Sequence, residues 1–173
     1  MTGVANPPAE GATDDERCLA AALRILQYRF NSVVELQRKL VAKKFDRESI
    51  DRTIERLRRE KWLDDERFAA AFVRMRASKR IGSLRIRQEL RAAGVADETA
   101  SRAVRTNIDE EREQDGAVAL CEKKMRIIAG RHGAGYLRTD AGRKKLAAYL
   151  LNHGYEAGRI FEIIDQCLKA SGD

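Results

Sequence analysis

The chain has 173 residues, 43% hydrophobic and 35% charged, a balance that supplies modest cores and much solvated helix surface rather than one large interior. Its 34 Lys and Arg outnumber 27 Asp and Glu for a net charge of +7, which suits a polyanionic partner such as nucleic acid. Three widely spaced cysteines and two isolated histidines form no metal-ligand pattern, so neither a metal nor a cofactor is expected, and the cysteines read as small buried hydrophobes in a reducing cytosol.

Residues 1–13 have neither a basic region nor an apolar core, so they read as a disordered tail and not as a signal peptide. No apolar run approaches the roughly 18 residues that span a bilayer, and the expected location is the cytoplasm. The first helix is expected from about Asp14 to Phe30, with Leu19, Ala22, Leu23 and Leu26 on its apolar stripe and Asp14, Asp15 and Glu16 at its positive end. Ser32 and Glu35 form a capping box that opens the second helix, which buries Leu36 and Leu40. Asp46 caps the third, with Ile50, Ile54 and Leu57 inward. Asp64 caps the fourth, where Leu63 and Phe68 make a hydrophobic staple and Phe68, Phe72 and Met75 form the stripe. The fifth opens after Gly82-Ser83 and carries Ile86 and Leu90, and the sixth carries Ala100, Val104 and Ile108. The acidic run 109–115 is a linker or the start of a seventh helix bearing Ala117, Leu120, Cys121 and Ile128. A loop from Gly130 to about Arg138 precedes an eighth helix with Leu146 and Leu150 and a ninth with Ile160, Ile164 and Leu168.

These helices repeat. Moving residues 18–54 by 50 positions lays Cys18 on Phe68, Leu36 on Ile86, Leu40 on Leu90 and Ile54 on Val104, and a further shift of 60 reaches Leu146, Leu150, Tyr155, Ile160 and Ile164. The turn before each third helix holds Lys44, Gly94 or Gly154 at a slot suited to a left-handed residue. The predicted fold is all-α: a disordered tail over 1–13, then three tandem helix-turn-helix-like three-helix repeats over 14–61, 62–108 and 109–173, the last including the acidic linker, in an elongated array.

Charge gathers on this scaffold. Residues 74–91 hold Arg74, Arg76, Lys79, Arg80, Arg85, Arg87 and Arg91 against one acid, Glu89, and most of these arginines are expected to lack a local partner and to face phosphates or carboxylates. A second run, 123–145, holds Lys123, Lys124, Arg126, Arg131, Arg138, Arg143, Lys144 and Lys145 against Asp140, and the first repeat is basic at Arg38, Lys39, Lys43 and Lys44. The candidate filament- or DNA-binding residues are therefore Arg74, Arg76, Lys79, Arg80, Arg85, Arg87, Arg91, Lys43, Lys44, Lys144 and Lys145. An alternative is an independent helix-turn-helix transcriptional regulator reading duplex DNA through its third helices, with Arg47, Arg52, Arg56, Arg102 and Arg105 as readers. No phosphate-binding loop, nucleophile elbow or metal cluster points to catalysis.

The run Trp62-Leu63-Asp64-Asp65-Glu66-Arg67-Phe68-Ala69-Ala70-Ala71-Phe72-Val73-Arg74, followed by Gly82-Ser83-Leu84-Arg85-Ile86-Arg87-Gln88-Glu89-Leu90-Arg91-Ala92-Ala93-Gly94-Val95, resembles the central repeat of the RecX family, bacterial regulators of the RecA recombinase. The resemblance covers roughly 17–170 and is most specific over 62–95, with Ser83 where the family often has proline and a longer stretch at 130–142. It implies tandem three-helix modules without catalytic activity. It further implies a partner in the RecA filament on single-stranded DNA, whose growth, ATP hydrolysis and strand exchange such proteins restrain, tempering recombination and the damage response. No cofactor and no membrane are expected from the residues themselves, and nothing resembles a dimerising heptad seam, so a monomer is expected.

Overall fold

The computed structural model describes residues 13–171. Among them are nine α-helices, a short 3-10 segment and no strand: α1 (Asp14–Tyr28), α2 (Val33–Ala42), α3 (Arg47–Arg59), α4 (Asp65–Ser78), α5 (Ser83–Ala92), α6 (Asp97–Asn107), α7 (Glu110–His132), the 3-10 segment Ala134–Arg138, α8 (Asp140–Asn152) and α9 (Ala157–Ala170). None of the described helices is long and apolar enough to cross a membrane.

Local chemistry sets the helix starts. Thr13 Oγ1 accepts from the Glu16 N–H at 3.3 Å while Glu16 accepts from the Thr13 N–H at 2.8 Å. Thr13 is thus the cap of α1, and the rest of the expected tail lies outside the described residues. Ser32 accepts from the Glu35 N–H at 3.0 Å, but the other half of the expected capping box is not made. The Glu35 carboxylate instead takes Arg29 Nη1 at 2.9 Å, because a charge-assisted bond outweighs one to a neutral amide. Asp46 accepts from the Ser49 N–H at 2.8 Å, and Asp64 from those of Glu66 and Arg67 at 2.8 and 3.1 Å.

Two helical expectations are corrected. Met75 is 42% exposed; Phe68, Ala69 and Val73 supply the fully buried positions of α4. The expected loop from Gly130 does not form, because α7 runs through Gly130 to His132 and ends at Gly133, φ +84°. A single interior glycine costs a helix only about 1 kcal/mol, less than the burial of Met125 and Ile128 on the last turns returns.

The described residues divide into two compact units, 13–71 with Leu90–Ala100, and Phe72–Glu89 with 101–171. The first has a core of Cys18, Ala22, Leu36, Leu40, Ile50, Ile54, Leu57 and Leu63. Leu120, Cys121, Leu146, Leu150, Ile160 and Ile164 lie at the centre of the second. The aligned positions Leu36, Ile86 and Leu146, and Leu40, Leu90 and Leu150, are all fully buried.

Each unit contains the same joint. In the first, the turn after α5 sits on the start of α2: Ser32 Oγ donates to the Ala93 carbonyl, Arg38 Nη1 to that of Ala92 at 3.0 Å, and Gly94 closes on Val34. Asp65, at the start of α4, accepts from the Val33 N–H at 2.9 Å. In the second, the turn after α8 sits on the start of α5: the Gly82 N–H donates to the His153 carbonyl at 2.8 Å, the Leu84 N–H to that of Gly154 at 3.1 Å, and Arg85 Nη1 to that of Asn152 at 2.8 Å. Glu113, near the start of α7, accepts from the Ser83 N–H at 2.7 Å. The turn slots are left-handed in all three cases, with φ of 66° at Lys44, 84° at Gly94 and 87° at Gly154. Gly142, which the 60-residue shift aligns with Gly82, is covered by the 3-10 segment: a Cβ there would lie 2.1 Å from the Tyr136 carbonyl oxygen, just as one on Gly82 would lie 2.4 Å from that of Gly154. The extra residues before α8 therefore fill on their own helix the place that a following turn fills elsewhere.

Candidate nucleic-acid interface

The α4–α5 cluster is basic but largely tied down. Arg76 makes a bidentate pair with Glu89, and Arg85 Nε reaches the same carboxylate at 3.1 Å. Partial burial pushes Glu89 up, but the hydrogen bonds and charges of Arg76 and Arg85 outweigh it and hold its carboxyl below the usual range. Arg74 Nη1 donates to Asn107 Oδ1 at 2.9 Å, and Arg91 Nε meets Asp97 Oδ1 at 2.7 Å. The expectation that most of these arginines lack a local partner is corrected: four of the six, Arg74, Arg76, Arg85 and Arg91, have one. Arg87 is half-buried, with its Nε buried and lacking a hydrogen-bond partner. Lys79 and Arg80 are exposed, Arg80 at φ 57°, and its carbonyl accepts from the Tyr155 hydroxyl at 3.0 Å. Burial, then the charge of Glu113, pushes that phenol up to about 12. Lys43 and Lys44 are exposed at the end of α2 in the first unit, as Arg91 is on α5, whereas the remaining candidates lie in the second.

The α7–α8 run behaves differently. Arg143 pairs with Asp165, while Lys123, Lys124, Arg126, Arg131, Arg138, Lys144 and Lys145 have no carboxylate partner among the described residues. Two of these lysines lie over aromatic rings. Lys124 Nζ is 4.8 Å from the Tyr149 centroid and Lys145 Nζ 5.0 Å from that of Tyr136. Each ring also meets a histidine: His132 stacks on Tyr136 at 4.6 Å with the planes 28° apart, and His153 lies against Tyr149 at 4.3 Å and 51°. Lys144 and Lys145 are legible in the sequence as candidates, whereas of the ring contacts only the four-residue spacing of Tyr149 to His153 at the end of α8 is visible in the chain.

The would-be reading arginines of α3 are engaged on their own unit. Arg47 pairs with Asp51, Arg56 with Glu60, and Arg52 with Asp15 and Glu48. Hydrogen bonds from Arg52 and Ser49 hold the Asp15 carboxyl below its ordinary range. Cys18, Cys121 and Cys167 are free and buried; burial pushes the Cys18 thiol up, and the hydrogen bond shared by Cys121 and Cys167 raises the first thiol and lowers the second.

Comparison with known proteins matches residues 18–57 to the first three-helix domain of RecX and residues 64–104 to the second. The chain is 32% identical over 160 residues to the regulatory protein RecX of Chlorobium phaeobacteroides, covering 91% of this chain and 98% of that protein. It is 35% identical over 161 residues to that of Xanthomonas campestris pv. campestris, covering 92% and 94%. In three dimensions it is similar to the crystal structure of RecX from Lactobacillus salivarius, with a TM-score of 0.75 at 24% identity over 89% of this chain and 96% of that one.

Proposed function

The chain belongs to the RecX family, and from that premise we propose that it binds RecA filaments on single-stranded DNA and restrains their growth, ATP hydrolysis and strand exchange. In this reading it tempers recombination, repair and the damage response in the cytoplasm, as a monomer without cofactor or catalysis. The observation that supports it most is the set of seven α7–α8 cations without carboxylate partners. A surface that leaves like charges uncompensated carries self-repulsion that a polyanionic partner relieves. The recurring joint supports the accompanying reading of three tandem modules, 14–61, 62–108 and 109–173, since a turn seated on the preceding module's second helix suits a protein that tracks a polymer. Filaments assembled from RecA, single-stranded DNA and a slowly hydrolysed ATP analogue should carry the protein into the pellet in proportion to RecA. Protein that stays in the supernatant over intact filaments would remove the reading.

A further inference from the structure

We propose that the α7–α8 face of the second unit is this chain's direct contact with single-stranded nucleic acid, taking phosphates on its cations that lack a carboxylate partner and bases on its two Lys–Tyr–His sets. The proposal deepens the filament reading above, on which its biological setting rests, by naming the surface and the chemistry that meet the strand.

The observations are geometric. Lys124 and Arg131 stand seven residues apart on α7 and so share one stripe, as Lys145 and Tyr149 do four apart on α8. The ring contacts bring the two helices' stripes together: Lys124 of α7 lies on Tyr149 of α8, and Lys145 of α8 lies on Tyr136, which also stacks on His132 of α7. Both histidines of the chain take part. Packing accounts for the bodies of Tyr136 and Tyr149, which lie half-buried against the core. It does not account for a lysine over each ring, nor for seven cations without a carboxylate. An aromatic and imidazole layer bordered by cations is what a flexible strand uses, its bases stacking while its phosphates follow the charge. A duplex would meet the cations alone, because its bases are already stacked.

The test is binding of fluorescein-labelled oligothymidylate and of an abasic strand of equal length, over a range of salt. The variant Lys124→Gln/Arg131→Gln/Lys145→Gln should bind at least about tenfold more weakly. Its log–log salt slope should be shallower by about 2, since each phosphate contact on a single strand contributes about 0.7. His132 is exposed, so His132→Ala should keep its melting temperature while narrowing the preference for the base-bearing strand severalfold. If the triple variant misfolds, Lys123→Gln/Lys144→Gln, which touches no ring, should still reduce the slope by about 1. Unchanged affinity and slope in a folded cation variant overturns the proposal, as does equal binding of the abasic strand or an affinity that falls with Lys79→Gln instead. RecA ATP hydrolysis on the same preparations separates the two readings. Inhibition by the wild type with unaltered strand binding by the triple variant rejects the face and keeps the filament reading. Strand binding lost in the triple variant, with no inhibition by the wild type, keeps the face and rejects the filament reading.

Discussion

Gly154→Ala strikes the joint of the second unit where it has least room. The residue sits at φ +87°, and an added Cβ would come 2.3 Å from Arg85 Cβ, 2.5 Å from Arg85 N and 2.9 Å from Arg85 Cα. A left-handed alanine costs about 1–2 kcal/mol. No rotamer relieves the overlap, because the atoms met are Cβ and backbone, so overpacking adds about 1–3 kcal/mol. The expected loss is therefore about 2–5 kcal/mol, or a fall in melting temperature of very roughly 5–15 °C for a chain of this size. Urea unfolding followed by circular dichroism should show a lower midpoint with native helix content before the transition. A Gly154→Ala protein within about 0.5 kcal/mol of wild type would refute the joint, since both the strain and the clash would then be absent.

Lys44 occupies the same slot at φ 66°, so Lys44→Gly should stabilise the first unit by a few tenths to about 1 kcal/mol, its relief of strain partly offset by the glycine's greater unfolded entropy; a lower urea midpoint would contradict this. Gly142→Ala should destabilise as Gly154→Ala does, through the Tyr136 carbonyl, and an unaltered melting temperature would show that the 3-10 segment does not cover α8 closely. Glu89 has a folded pKa below its unfolded value. Its contribution is therefore fully present above the unfolded value, about 4.3, and is lost as pH falls through the folded one. Glu89→Gln should accordingly be less stable than wild type at pH 7 and lose less than wild type between pH 5 and pH 3, and parallel stability–pH curves would sink the Arg76–Glu89–Arg85 account. Arg85→Ser should cost about 1 kcal/mol through its bonds to Glu89 and the Asn152 carbonyl, so that a variant as stable as wild type would show those bonds to be idle.

Most of the fold was legible because the repeat places chemically matched residues at fixed offsets. Leu36, Ile86 and Leu146 announce one core position three times, and each proves fully buried. The caps Ser32, Asp46 and Asp64 were readable for the same local reason, since a side chain need only reach amides two or three residues away. Met75 was misplaced because a helical stripe can drift by one residue, and small Ala69 takes an inward place that a hydrophobicity pattern gives to larger neighbours. The partners of the α4–α5 arginines were only partly visible. Arg85 and Glu89 are four apart and could have been paired from sequence. Arg76 meets Glu89 across the turn, and Arg74 meets Asn107 33 residues away, contacts that only the packed chain defines. The α7–α8 charges were counted correctly from sequence, but their ring partners come from two helices and a 3-10 segment that had been expected as loop.

The central claim is action on the RecA filament, and its most direct test is single-stranded-DNA-dependent ATP hydrolysis by RecA with this protein titrated in. Hydrolysis should fall at protein concentrations well below those that coat the DNA. Hydrolysis unchanged by the folded protein, with RecA fully active, would contradict the account.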